Sequence, residues 1–405
     1  MKKLIGVPLV FLLVASCIGW ALRWHHFSAI PGFHYGNWLH AHSHAMFLGW
    51  VFNALSVAFV IAFVSGAKHK RYYPVLVLAN AALAGMVVLF PIMGYAAPTI
   101  ILSAIHTVIV FVYCGFFFRD TWADSRRQAV SCARISLLFF IVSAAGPVAL
   151  AFVNANGLGH TYWYRYAVYY YLHFQYNGTF TFGVFSLQFL MLEKAGISIA
   201  WERAKTFKRL LAYACVPAFF LSILWNQPGM AFNLTGLLAA SLQWLAWFYW
   251  FTLFKSKPSE LNLRLAPVSF WLLVIANVCF TVKLALQFIS AHPGVALLAD
   301  SVRYYNIAYL HLVLIGMISF ALLAWYRETQ RLPWLTFSHL FLMVSGFIGS
   351  ELVMAGVSWL AFDTLSLLLV ISSGLIVIGM GWAVINYFRV QDVPADRVWQ
   401  RKTEI

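Results

Sequence analysis

Charge is what this sequence has least of. Only 10% of its 405 residues are charged and just 12 are Asp or Glu, while 62% are hydrophobic and the mean hydropathy is +0.80. A soluble globular domain carries roughly 25% charged residues, so that class is excluded. Cysteine is sparse too. The five thiols, at positions 17, 114, 132, 215 and 279, show no CxxC spacing and read as packed apolar side chains. Without a CxxCH motif, haem attachment of the c-type is excluded. Long polar stretches are missing as well, which leaves no place for a soluble domain.

What is present is a succession of apolar runs long enough to cross a bilayer. Twelve are read, at approximately 4–22, 44–65, 73–94, 99–118, 133–154, 166–192, 208–226, 232–254, 266–290, 304–326, 335–356 and 364–388. This predicts an all-α, polytopic protein with one integral membrane domain over 1–405. Lys2 and Lys3 before the first run resemble a signal peptide, but no small-residue cleavage site follows, so the run is expected to be a retained helix. With alternating spans, 23 of the 27 Lys and Arg fall on one side. Arg23, Arg165 and Arg303 face the other, and Lys283 lies within a span. The positive-inside rule then puts both termini in the cytoplasm and the chain in the plasma (inner) membrane. The net charge of +15 is a collar facing anionic lipid and requires no nucleic-acid partner.

A repeat runs through the spans. "HAMFLG", "HFQYNG" and "HLVLIG" all read H-x4-G, starting at His44, His173 and His311 in spans two, six and ten. Arg165 and Arg303 each stand eight residues before their histidine and are followed by tyrosine; the first copy has Gly36 there. Two residues before the histidines stand His42, Tyr171 and Tyr309. The expectation is three pseudo-symmetric arcs of four helices, approximately 1–125, 126–260 and 261–405, each offering one histidine from its second helix.

Polar side chains inside a membrane are costly and mark functional sites by default. His40 is read either as an interfacial residue or as part of the site. His44, His173 and His311 each precede a glycine that leaves a flat patch for a planar ring. Histidine beside a small residue suits an axial haem ligand better than zinc. His106, Lys283, Glu351, Gln175 and Asn177 are read either as proton-relay or propionate partners or as ordinary interhelical bonds. Arg165 and Arg303, about 12 Å outside their histidines, are read either as propionate partners or as arginines snorkelling to headgroups.

Twelve spans with cytoplasmic ends and these histidines resemble subunit I of the haem-copper oxidase and nitric oxide reductase superfamily. The resemblance covers the whole chain as architecture but only about forty residues as motifs. It implies that His44 and His311 hold a low-spin haem b, with His42 as the alternative to His44, and that His173 takes the place of a copper ligand. Tyr309 stands where the ligand of a second haem is expected. Asn177 replaces the glutamate of the reductase motif H-x3-E-G, and "FKRLLAYACVPAFFLSILWNQPGM" lacks the histidine pair of span seven. "AHSHAMFLGW" is also similar to the W-H-A-H-E-M-L-F-G stretch of NnrS-like membrane haem proteins of the nitric oxide response.

Three function classes follow. A membrane oxidoreductase reducing nitric oxide or oxygen would draw catalytic residues from His173, Tyr309, Asn177 and Lys283. It would need copper or a second haem, a quinol or cytochrome electron donor, and a small gas ligand. A non-catalytic haem protein needs only His44, His311 and His42. A twelve-helix transporter would use His173 and Lys283 at mid-membrane.

Overall fold

The computed structural model describes residues 4–124, 128–253 and 264–390. Lys2, Lys3, Arg126, Arg127, Lys255, Lys257 and the tail beyond 390, all part of the expected cytoplasmic collar, lie outside the described residues. The described chain is all-helical. Ten helices are long and apolar enough to cross a membrane: α1 (Gly6–Phe27), α2 (Tyr35–Phe63), α3 (Gly66–Met93), α4 (Ala97–Thr121), α5 (Gln128–Ala155), α7 (Trp201–Asn226), α9 (Pro267–Ile289), α10 (Arg303–Glu328), α11 (Phe337–Ala355) and α12 (Phe362–Arg389). The chain is therefore a multi-pass membrane protein. The other two expected spans are helical as well, as α6 (162–194) and α8 (Met230–Phe251), but are not among the ten. Arg165, His173, Gln175, Asn177 and Gln188 lower the apolar character of α6, and four Trp and Tyr residues that of α8's second half with Gln243.

Each helix packs on the next in the chain, and α12 packs back on α1. Three helices are much more buried than their neighbours. In α2 and α10 the apolar stretch is 83% and 61% buried, against 28–50% in the other eight. In α6 every residue from 173 to 192 is buried. The outer helices instead present large apolar side chains such as Leu78, Val88, Phe341 and Ile378 to their surroundings, as lipid contact requires.

The three buried helices share one irregularity. Each is α-helical up to its repeat histidine and then becomes a π-helix: Ala45–Phe52 after His44, Phe174–Phe180 after His173, Leu312–Ser319 after His311. At their ends, hydroxyls bond back to the carbonyl five residues earlier, Thr181 to Tyr176 at 2.6 Å and Ser319 to Leu314 at 2.7 Å. π-Segments are rare and concentrate at functional sites.

The glycine of each H-x4-G sits inside its π-segment, and its bare face is filled by the preceding helix. A Cβ would come within 2.7 Å of Phe11 at Gly49, 2.5 Å of Phe139 at Gly178, and 2.6 Å of Cys279 and Phe347 at Gly316. Phe11, Phe139 and Cys279 lie on α1, α5 and α9. This corrects the expectation that the glycine patch receives a planar cofactor: side chains of the protein occupy it. Below the histidines the buried helices lock together through Trp50 Nε1 to Ser319 Oγ (2.8 Å) and Tyr326 Oη to the Ala54 carbonyl (2.9 Å).

Candidate haem-ligand recess between the buried helices

The burial of α2, α6 and α10 changes abruptly at the repeat histidines. Inward of them almost every side chain is buried; outward, His40, His42, His44, Tyr171, Tyr309 and His311 remain half-buried. The outward ends lie together. Arg303 of α10 stacks over the Tyr35 ring of α2 at 5.2 Å. Tyr176 of α6 meets Tyr309 edge-on at 5.9 Å. These ends are less buried than the segments inward of them, where each helix changes from α to π.

His42 and His44 cannot share a direction, because two residues on an α-helix are about 200° apart. His44 faces α3, stacked on Phe90 at 4.6 Å and 10°. His40 joins it one turn earlier, against Tyr95 at 4.4 Å. Burial pushes the Tyr95 phenol up to about 12, so it stays protonated at neutral pH. His106 is a further electrostatic neighbour of His44 and borders a narrow cavity with Asn53, Asn80 and Tyr113.

His42 faces α1. Its Nδ1 lies 2.9 Å from the Ala15 carbonyl, which fixes the ring proton on Nδ1 and leaves a lone pair on Nε2. Histidines that bind iron or zinc are held this way, their second nitrogen donating outward. Gly19, one turn further along α1, makes the approach possible, since a Cβ there would come within 2.9 Å of His42 Cε1.

His311 has Arg23 and His42 as electrostatic neighbours. Arg23 Nη2 is 3.2 Å from His311 Nδ1. Of the two histidines expected to partner His311, His42 is thus an electrostatic neighbour of it, while His44 packs on Phe90 of α3 and has His106 of α4 near it.

His173 lies in a different setting. Its Nε2 donates to the Cys215 carbonyl (2.8 Å), and its Nδ1 accepts from Asn177 (3.0 Å). Cys215 ends the α-helical part of α7, so its carbonyl belongs to the last turn, which lacks helix partners. Gln287 donates to Asn177 at 3.4 Å, and Lys283 is an electrostatic neighbour of both His173 and Cys215. The candidate residues His173, Asn177 and Lys283 thus meet in one buried polar network. Tyr309 reaches its edge through Tyr176. Both ring nitrogens of His173 are engaged within the protein.

The two outer arginines are paired locally. Arg165 forms an ion pair with Asp300 and stacks over Trp225 at 3.4 Å. Among the described residues no group of three or more His, Cys, Asp or Glu is arranged to hold a metal ion. Sequence reasoning missed Gly19 and Asp300, which no motif marks. It counted Arg23 only as one of three cations on the outer side, and that rarity was the available signal. Neither the protein-family models nor the curated proteins include a match to this chain.

Proposed function

We propose that the chain is a haem-binding membrane protein whose twelve helices form three four-helix arcs, with His42 and His311 holding one b-type haem. The observation that carries this is the His42 Nδ1–Ala15 bond, which leaves a lone pair on Nε2 of a histidine that is an electrostatic neighbour of His311. The donor set fits: two imidazoles from two different helices, half-buried side chains at that depth, and a guanidinium at hand for a propionate. Helices α6 and α8 complete the twelve. The 22 residues of α8 extend about 33 Å, enough to span hydrocarbon. The matching Phe11–Gly49, Phe139–Gly178 and Cys279–Gly316 contacts support the threefold arrangement.

A haem with two imidazole ligands supplies one-electron transfer. The chain's own residues prepare the site. Ala15 sets the His42 tautomer, Gly19 admits the ring, and the π-segments fix the depth of the histidines. The missing histidine pair of span seven favours a protein without a copper centre, closer to the NnrS-like reading than to a reductase of nitric oxide or oxygen. The proposed setting is the inner membrane with cytoplasmic termini and a quinol or cytochrome as electron donor.

Protein purified from haem-supplied cells should carry about one haem per chain and show sharp low-spin bands when reduced. Colourless protein would sink the proposal, and stoichiometric copper would return the reductase reading. A second reading, transport, is favoured by one feature: Lys283 is 1% exposed beside His173. Uptake by haem-free protein would decide for it.

A further inference from the structure

We propose that Arg23 is a latch on His311 and that it must pass to Glu351 before His311 can act as a ligand. The proposal rests on the haem reading above.

Arg23 reaches from α1 to three other helices. Nη2 lies 3.2 Å from His311 Nδ1 on α10 and 3.9 Å from Met354 Sδ on α11, and Nη1 lies 3.4 Å from the Leu369 carbonyl on α12. A guanidinium only donates and does not lose its proton in a protein. The bond to His311 therefore has one direction. Nδ1 accepts, the ring is neutral, and its single proton sits on Nε2.

That is the opposite of His42. Ligation needs a lone pair on the coordinating nitrogen. At His311 one nitrogen carries the proton and the other is occupied by Arg23, so neither is free. Only withdrawal of Arg23 lets the proton reside on Nδ1 and frees Nε2. The neutral ring keeps one proton throughout.

Arg23 has somewhere to go. Its present acceptors are an imidazole, a thioether and one distant carbonyl, a poor set for five N–H donors. Glu351 lies on α11 three residues before Met354, is an electrostatic neighbour of Arg23, and has a buried Oε1 without a hydrogen-bond partner. A carboxylate and a guanidinium held apart in a low-dielectric interior are each less stable than the pair. Transfer of Arg23 from His311 to Glu351 satisfies both groups and releases the histidine.

The test uses full-length protein made in haem-deficient cells, purified in detergent, and mixed with hemin (ferric protoporphyrin IX). Formation of the low-spin absorbance is followed by stopped flow in the unsubstituted chain, Arg23→Gln and Glu351→Gln. Arg23→Gln should form the low-spin species at least tenfold faster, and Glu351→Gln at least tenfold slower. A haem-free readout runs in parallel: with 15N-labelled histidine, the resonance lost in His311→Asn should show the Nε2–H tautomer in the unsubstituted chain and shift toward Nδ1–H in Arg23→Gln. If Arg23→Gln fails to fold, Glu351→Gln and the tautomer of the unsubstituted chain decide. Equal rates in all chains, slower or weaker uptake in Arg23→Gln, or an Nδ1–H tautomer at the start each overturn the latch while leaving the haem reading standing. No hemin uptake by any chain overturns both.

Discussion

The Nδ1 of His42 and the carbonyl of Ala15 face each other at 2.9 Å across the α1–α2 contact. A carbonyl only accepts, so this one bond determines where the ring proton sits. The same logic sorts the other histidines. His311 is held through an accepting Nδ1, and His173 is engaged at both nitrogens. His173 and His311, equivalent in sequence, thus have different chemical capacities, and His42, outside the H-x4-G register, has the one a metal ligand needs.

The first prediction separates the neighbours in "HAHSH". His42→Ala should abolish low-spin haem, with haem per chain falling at least tenfold. His44→Ala should retain most of it, because its ring packs on Phe90 instead of facing His311. The opposite result, read from haem content and the reduced spectrum, would move the ligand back to His44.

Gly19 should be intolerant of bulk for a local reason. Gly19→Val brings side-chain atoms onto the His42 ring, which must rotate away from Ala15. Overpacking of this kind costs about 1–3 kcal/mol. The expected phenotype is a folded protein with haem occupancy reduced severalfold and altered low-spin bands. Full occupancy with an unchanged spectrum would show that the α1 contact does not position His42.

The glycine contacts predict a compensating pair. Gly178→Ala should destabilise by about 1–3 kcal/mol through its clash with Phe139, and Phe139→Ala by about 3–5 kcal/mol through the cavity it leaves. The double variant should lose less than the sum by about 1 kcal/mol or more, since the new methyl enters the emptied space. Unfolding in graded denaturing detergent measures the cycle; strict additivity would deny the contact.

His173→Ala should affect folding more than colour. It leaves Asn177 and its neighbours in the network without their partner, at a cost of about 1–3 kcal/mol. The midpoint of unfolding should fall while the low-spin spectrum persists. Complete loss of haem from folded protein would instead make His173 a ligand.

Much of the fold was legible in the chain because burial in lipid leaves a strong mark on composition. The H-x4-G repeat located the three most buried helices, although no burial value was in hand. The site was less legible, for an angular reason. His42 and His44 differ by two positions, and which of them turns toward α10 depends on helix rotation and on Gly19 of another helix. No local pattern encodes either. The π-segments were hidden for a related reason: one turn of π-helix has the same apolar composition as the α-helix it replaces. Arg165 was read as a haem partner or a headgroup contact because its actual partner, Asp300, lies 135 residues away.

The packing of α12 on α1 sets an order on biogenesis. At Gly6 a Cβ would lie 2.6 Å from the Tyr387 ring, so the first and last helices close against each other tightly. The face of α1 that receives α12 stays uncovered until the ribosome has delivered α12. During that interval the nascent protein is an open crescent with two unmatched edges. Contacts of such sequence separation form late and slowly. Truncation within α12 should therefore leave the α1 edge exposed for insertion factors, proteases or a second nascent chain to engage.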